Sequence, residues 1–301
     1  MANLMKTAQT KAKAAAVRRL PPRWGGWLLA VPPMLFTLLF FLAPLVLLMI
    51  YSFGKIDILT FEIKFGWNLG NWAALGNGVY LSGLIRSLVL TLVSTVLCAV
   101  IGFPTALAIS RASGRIQTVL LLAIIVPYWI SFVVRNYAWL TLLGPRGLVT
   151  RLLTAVHLTG PGQDLRYTTG AILVGMVSSY LPLMILPIFV AMERIDPAVL
   201  DAAADLGLTA LATVRRVILP LSMPGFIAGI LLVGIPATGE YTIPSILGGG
   251  KTLMVGNIIH DQFLGVGDIP VGSAIATALM GLMLVLLLAT RRRVRQLEDV
   301  L

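Results

Sequence analysis

The sequence predicts an all-α polytopic membrane protein with six transmembrane helices and both termini in the cytoplasm. Three observations lead there. Hydrophobic residues make up 58% of the 301 and charged residues 12%, whereas an ordinary soluble domain carries roughly 25% charged residues. The mean hydropathy is +0.93, so the chain has too little polar surface to enclose a soluble core. The apolar residues also gather into charge-free runs of spanning length, and the basic residues collect in alternate loops. Few charges and many aliphatics exclude a disordered chain. A single cysteine, Cys98, excludes a disulfide framework and reads as an inert packing residue.

A spanning helix needs about 20 mostly apolar residues at about 1.5 Å rise each. Six charge-free runs meet that length: 27–50, 87–110, 116–134, 167–192, 217–239 and 269–290. A seventh run, 65–85, holds Asn68, Asn71, Asn77 and five glycines, and reads as an extramembrane loop. The first run is 24 residues long, beyond the about 7–15 of a signal-peptide core, so it is expected to remain as the first span. No solenoid period or linker divides the chain. The expected organisation is a basic tail over 1–26, one permeating domain over 27–290 and a second tail over 291–301.

The net charge of +11 could point to nucleic acid, but cytoplasmic loops of membrane proteins are enriched in Lys and Arg. With the N-terminus inside, 15 of the 23 basic residues fall on cytoplasmic segments and 8 outside, while the acids divide six and six. The charge is therefore a matter of orientation, with the tail set against the anionic membrane surface, and no nucleic-acid partner is expected.

Catalytic chemistry is not assembled in this sequence. His157 and His260 lie in external loops without a carboxylate or cysteine at ligand spacing, and neither a nucleophile elbow nor a zincin motif occurs. Gly248-Gly249-Gly250-Lys251-Thr252 ends like a phosphate-binding loop, but the required earlier glycine is Ser245. A transporter rather than an enzyme is expected, with no cofactor, no metal and no nucleotide site of its own.

The segment 193–224 is the most informative. Asp196-Pro197 places a preferred N-cap before a proline at the first helical position. Alanines and leucines carry that helix to Leu206, Gly207 supplies a left-handed C-terminal position, and Thr209 caps a second short helix toward Arg215 and Arg216. Asp201 and Asp205 share a face, and Ala202, Ala203 and Ala204 offer a surface that another protein can approach closely. Locally this is either an ordinary surface hairpin or a rigid lever gripped by another subunit.

Asp201-Ala202-Ala203, Gly207 and then Val217-Ile218-Leu219-Pro220 resemble the EAA loop of permease subunits in binding-protein-dependent ABC importers. Asp201 stands where that family usually has Glu, and Val214 where it often has Phe. The stretches 126–144, 180–196, 233–257 and 268–274 are similar to the putrescine/spermidine branch. The resemblance implies the type I ABC importer permease fold in a bacterial inner membrane. It implies a second homologous permease, a dimeric cytoplasmic ABC ATPase and a periplasmic solute-binding protein as partners. It makes Asp201, Ala202, Ala203, Asp205, Gly207 and Pro220 the ATPase-coupling residues, and a polyamine the expected solute. The rivals are the same role for another small solute (an amino acid derivative, opine, iron or thiamine) and, further off, an ion-coupled secondary carrier.

Glu240 is the one acid near membrane depth, bracketed by Pro236 and Pro244 and preceded by Gly239. An ionisable group at that depth is a functional candidate by default, and a broken helix there must be surrounded by protein or water. It is expected either to receive an ammonium group or to pair with Arg135 or Arg86. Tyr128, Trp129, Tyr137, Trp139, Tyr180 and Tyr241 fall in the same outer half, as pathway rings for a cation or as an interfacial belt. Gly225 and Gly229 form a small face on span five, for internal packing or for a second permease.

Overall fold

The computed structural model describes residues 24–298 apart from 58, 59, 61 and 161. The expected N-terminal tail lies outside the described residues as far as position 23, as do residues 299–301 of the C-terminal tail. The chain divides into two units, Met1–Ile50 and Tyr51–Leu301.

The first unit holds α1 (Trp24–Thr37), a π-helical turn (Leu38–Leu42) and α2 (Ala43–Tyr51, whose last residue opens the second unit). Together they make one apolar helix, long enough to cross a membrane over Ala30–Tyr51, with most of its side chains exposed from Val31 to Ile50.

The second unit opens on a two-stranded hairpin, β1 (Lys55–Ile56) and β2 (Ile63–Lys64), followed by the short α3 (Gly70–Ala74). Asn71 ties these together by donating from Nδ2 to the carbonyls of Ser52 (2.9 Å) and Gly54 (2.8 Å). The long α4 (Gly78–Arg111) then begins nine residues before the charge-free run. The reason is a cap: the Asn77 side chain accepts from the Val79 amide at 3.4 Å. A cap sets this helix end, so α4 takes in Arg86 and the end of the expected loop. At 34 residues it is about 50 Å long, well beyond the hydrocarbon thickness.

The third run is not a straight span. α5 (Gly114–Tyr128) and α6 (Phe132–Leu142) meet at a 92° bend. Beyond α6 come α7 (Leu148–Ala155) and the continuous α8 (Thr169–Glu193), capped by Thr168 Oγ1, which accepts from the Ala171 amide at 3.1 Å. Next follow α9 (Pro197–Asp205), α10 (Ala210–Thr213), a π turn (Val214–Ile218) and α11 (Leu219–Leu221). A 65° bend at Ser222, between Pro220 and Pro224, leads into α12 (Met223–Thr238). α13 (Thr242–Leu247), α14 (Val255–His260), a π turn (Asp261–Val266) and α15 (Ile269–Glu298) complete the chain. Gly267 turns the backbone at φ +78°, and Asp268 Oδ1 caps α15 by accepting from the Val271 amide at 3.1 Å.

The described residues thus hold four straight helices long and apolar enough to cross a membrane, and up to six crossings if each bent pair counts as one.

The core lies where α4, α8 and α12 pack, around Cys98, Ala106, Met176, Met184, Ile188 and Val233. Apolar burial drives little between helices in lipid, so close packing must hold them, and small residues permit it. A Cβ at Gly225 would lie 2.6 Å from Ala191 Cβ, and one at Gly229 would lie 2.7 Å from Met184 Sδ. The small face of α12 therefore packs internally, against α8. Gly102 on α4 meets Met184 from the other side, at 3.0 Å from a built Cβ.

Candidate functional site

The break after α12 positions Glu240. Helix α12 stops at Thr238 and the chain turns through Gly239–Tyr241 before α13 begins. A helix start leaves backbone N–H groups without partners, and Glu240 supplies them: Oε1 accepts from the amides of Thr242 (2.8 Å) and Ile243 (3.1 Å). The other oxygen, Oε2, accepts from the Tyr180 hydroxyl of α8. Glu240 is 7% exposed and Tyr180 is equally buried.

All three donors to Glu240 are neutral, and no arginine reaches it among the described residues. Hydrogen bonds from neutral groups disperse the charge of a carboxylate but do not cancel it. Arg135 is engaged elsewhere: Nη2 donates to the carbonyls of Pro127 (3.2 Å), Tyr128 (2.9 Å) and Ile130 (3.1 Å). These carbonyls gather at the α5–α6 bend, where that of Pro127 also accepts from the Ile130 amide at 3.2 Å, so Arg135 closes the end of α5. Its guanidinium also sits 5.5 Å from the centre of the Tyr128 ring. Arg86 lies exposed in the N-terminal third of α4. The cation partners weighed for Glu240 are therefore placed apart from it.

Side chains that the sequence did not single out hold the break in position. Asn257 on α14 donates to Ser245 Oγ (2.8 Å) and to the Tyr241 carbonyl (3.3 Å), and accepts from the Met254 amide (3.2 Å). Ser87 on α4 accepts from the Val255 amide at 2.7 Å. A Cβ at Gly256 would lie 2.5 Å from the Gly239 oxygen and 2.7 Å from the Glu240 oxygen, so α14 rests on the backbone of the break. The signal for this support was present as isolated polar and small residues, Ser87 and Gly256-Asn257, among apolar neighbours. Two further polar atoms nearby are buried without partners: Asn136 Oδ1, facing Gly175, and Ser179 Oγ, one residue before Tyr180.

Among the aromatic candidates, Tyr180 alone bonds Glu240. Tyr128 is 40% exposed under Arg135, and Trp129, at the elbow of the α5–α6 bend, is 79% exposed. The Tyr241 ring turns to stack on His260, with centroids 4.2 Å apart. Tyr137 is exposed and Trp139 half-buried on α6, packed against the core.

The hairpin after α8 forms the second candidate region. Asp196 Oδ1 accepts from the Ala198 amide (2.9 Å) and Pro197 opens α9. Gly207 adopts φ +76°, letting its amide reach the Ala204 carbonyl (2.9 Å) and that of Leu208 reach Ala203 (3.1 Å). Thr209 caps α10 at the Ala212 amide, 3.4 Å away. Ala203 faces inward at 4% exposure, whereas Asp201, Ala202 and Asp205 face out. Leu206 and Leu211 stand 82% and 68% exposed at the tip of the hairpin, and sequence reasoning had not marked them. Pro220 lies exposed beyond the π turn.

In the loop before α8, Arg166 forks onto Asp164, with Nη2 2.7 Å from Oδ2 and Nε 2.9 Å from Oδ1. That hydrogen bonding holds the Asp164 carboxyl below its ordinary range. Among the described residues no group of three His, Cys, Asp or Glu is placed to hold a metal.

The Spermidine/putrescine transport system permease protein PotB of Escherichia coli (strain K12) is 35% identical over 249 residues, covering 82% of this chain and 90% of its own. That of Haemophilus influenzae is 36% identical over 248 residues, covering 82% and 86%. The Inner membrane ABC transporter permease protein YdcU of E. coli is 30% identical over 265 residues, covering 84% of each. In fold, the chain is similar to a crystal structure of a bacterial ABC transporter involved in the import of alginate. There the TM-score is 0.66 at 17% identity, over 91% of this chain and 96% of that one. An inward-facing MetNI methionine ABC transporter matches with a TM-score of 0.56 at 20% identity, over 72% and 95%. The family model described as "Binding-protein-dependent transport system inner membrane component" matches residues 66–296, and the chain belongs to that family of multi-pass inner-membrane permeases.

Proposed function

We propose that this chain is the six-span permease subunit of an ATP-driven polyamine importer, with both termini in the cytoplasm. Each bent pair, α5–α6 and α11–α12, counts as one crossing in this reading, which the inside bias of Lys and Arg supports. The chain binds no nucleotide. A dimeric cytoplasmic ATPase supplies the energy, a second homologous permease completes the pathway, and a periplasmic binding protein delivers the solute. The hairpin α9–α10 is the coupling element. Asp201, Ala202 and Asp205 present a polar face to the ATPase, Ala203 anchors the hairpin from within, and Gly207 and Pro220 fix its turns.

The observation that carries the solute reading is Glu240. It is a carboxylate at a helix break in the apolar part of the chain, satisfied by neutral donors and without a basic partner among the described residues. A passing ammonium would find there a negative charge that nothing else cancels. Tyr180 positions that carboxylate, Tyr241 flanks it, and Tyr128, Trp129 and Arg135 line the elbow on the approach. The relatives named for spermidine and putrescine point to the same class of cation. Alternating access follows if nucleotide biases two arrangements of the bent helices.

The test is uptake of labelled putrescine and spermidine into proteoliposomes holding the full complex. ATP- and binding-protein-dependent uptake that falls sharply in Glu240→Gln is expected. Uptake unchanged in that variant would leave Glu240 with a structural role alone.

A further inference from the structure

We propose that a groove between the ends of α8 and α12 is a binding site for a zwitterionic phospholipid of the phosphatidylethanolamine type. The groove has a volume of about 520 Å³. Its walls are apolar, formed among others by Pro187, Val190 and Leu221, with Gly225 and Ala228 from α12. Its floor is the α8–α12 contact, where Gly225 leaves no room for a side chain against Ala191. A groove of that volume and apolar character takes an acyl chain.

The mouth carries one cation and one anion, Arg194 and Asp196. Arg194 follows directly on the last residue of α8 and is exposed, with no ion pair among the described residues. Asp196 uses Oδ1 to cap α9, and its side chain is exposed next to the groove. A purely anionic headgroup would suit Arg194 and be repelled by Asp196. A headgroup with a phosphate and a primary ammonium satisfies both, since guanidinium and phosphate form charge-assisted hydrogen bonds and an ammonium donates to a carboxylate. The charges also lie at the level where α8 ends, which is where the headgroups of a bilayer stand relative to a spanning helix. The bound lipid would wedge α8, the cap of α9 and the start of α12 into one body, at the base of the hairpin.

The inference needs α8 and α12 to cross a membrane but is independent of which solute passes. The assembled complex, purified in mild detergent from a membrane rich in phosphatidylethanolamine, is examined by native mass spectrometry for retained lipid. It is then offered phosphatidylethanolamine, phosphatidylcholine and phosphatidylglycerol. Wild type is expected to keep phosphatidylethanolamine in preference to phosphatidylcholine, whose quaternary nitrogen cannot donate, and to phosphatidylglycerol, which lacks the cation. Arg194→Gln should lower retention about tenfold, as loss of one charge-assisted hydrogen bond implies. Asp196→Asn keeps a good N-cap and should remove the preference over phosphatidylcholine without unfolding α9. Ala228→Phe should displace the lipid by filling the groove. Equal retention of all three lipids, or wild-type retention in Arg194→Gln, overturns the site. So does cross-linking of Ala228→Cys to the second permease, which would make the groove a protein interface. Polyamine uptake measured in parallel reports on the transport reading separately.

Discussion

Tyr180 on α8 donates its hydroxyl to Glu240 across the break between α12 and α13, joining a continuous helix to the point where its neighbour is interrupted. The same carboxylate caps α13 through two backbone amides. One side chain therefore does two things: it satisfies the open start of α13 and ties that start to α8.

Those two tasks separate by substitution. Glu240→Gln keeps an oxygen to cap α13 and removes the charge. It should reduce polyamine uptake by about tenfold or more, the scale of one hydrogen bond to a charged group, with assembly unchanged. Glu240→Ala also loses the cap, at about 1 kcal/mol, so its thermal midpoint should fall as well. Uptake and thermal melting of the same purified complexes distinguish the two.

At the α9–α10 hairpin, proposed above to couple to the ATPase, Gly207→Pro cannot adopt the observed φ of +76°, because proline holds φ near about −65°. Asp201→Lys reverses a charge on an exposed face and should change stability by no more than about 0.5 kcal/mol. Both should leave membrane insertion intact while ATP hydrolysis no longer drives uptake. The ratio of ATPase to transport rate is the readout.

Gly229→Leu should destabilise the bundle by about 1–3 kcal/mol, because it forces a side chain into Met184 in a packed core. Chemical denaturation of the purified chain in detergent measures this. Ser87→Ala should cost a comparable about 1–3 kcal/mol by leaving the Val255 amide buried without its acceptor.

Much of this was legible in the sequence for specific reasons. The cap Asp196-Pro197, the left-handed Gly207 and the capping Thr209 are local signals, and each sits where it was read. The break at Glu240 was likewise written in Gly239 and its flanking prolines. What was hidden was tertiary. A charge-free run says that a segment tolerates lipid, not that it runs straight, so the 92° bend at 129–131 left no mark beyond Pro127. Arg135 looked like a partner for Glu240 because both are charges in apolar surroundings, yet three carbonyls gathered at the bend claim it first. Gly225 and Gly229 could have faced any helix; only the packing of α8 decides between neighbours.

The Asp164–Arg166 pair gives a pH prediction. Asp164 titrates below its ordinary range in the folded chain, so the pair stabilises the loop fully above the unfolded pKa of about 3.9. That stability is lost as pH falls through the lowered folded pKa. Both side chains are partly exposed, at 33% and 40%, so solvent screens the pair and the effect is small. Asp164→Asn should melt slightly below wild type at neutral pH, and the difference should vanish on acidification. Melting curves in parallel over that range decide it.

The most direct test is ATP-driven flux of a labelled polyamine in proteoliposomes that contain this chain, its second permease, the ATPase and the binding protein. Uptake is predicted to require ATP and every subunit, and to collapse in both Glu240→Gln and Asp201→Lys. Polyamine uptake by the single chain without ATP, or a working complex that carries some other solute and no polyamine, would contradict it.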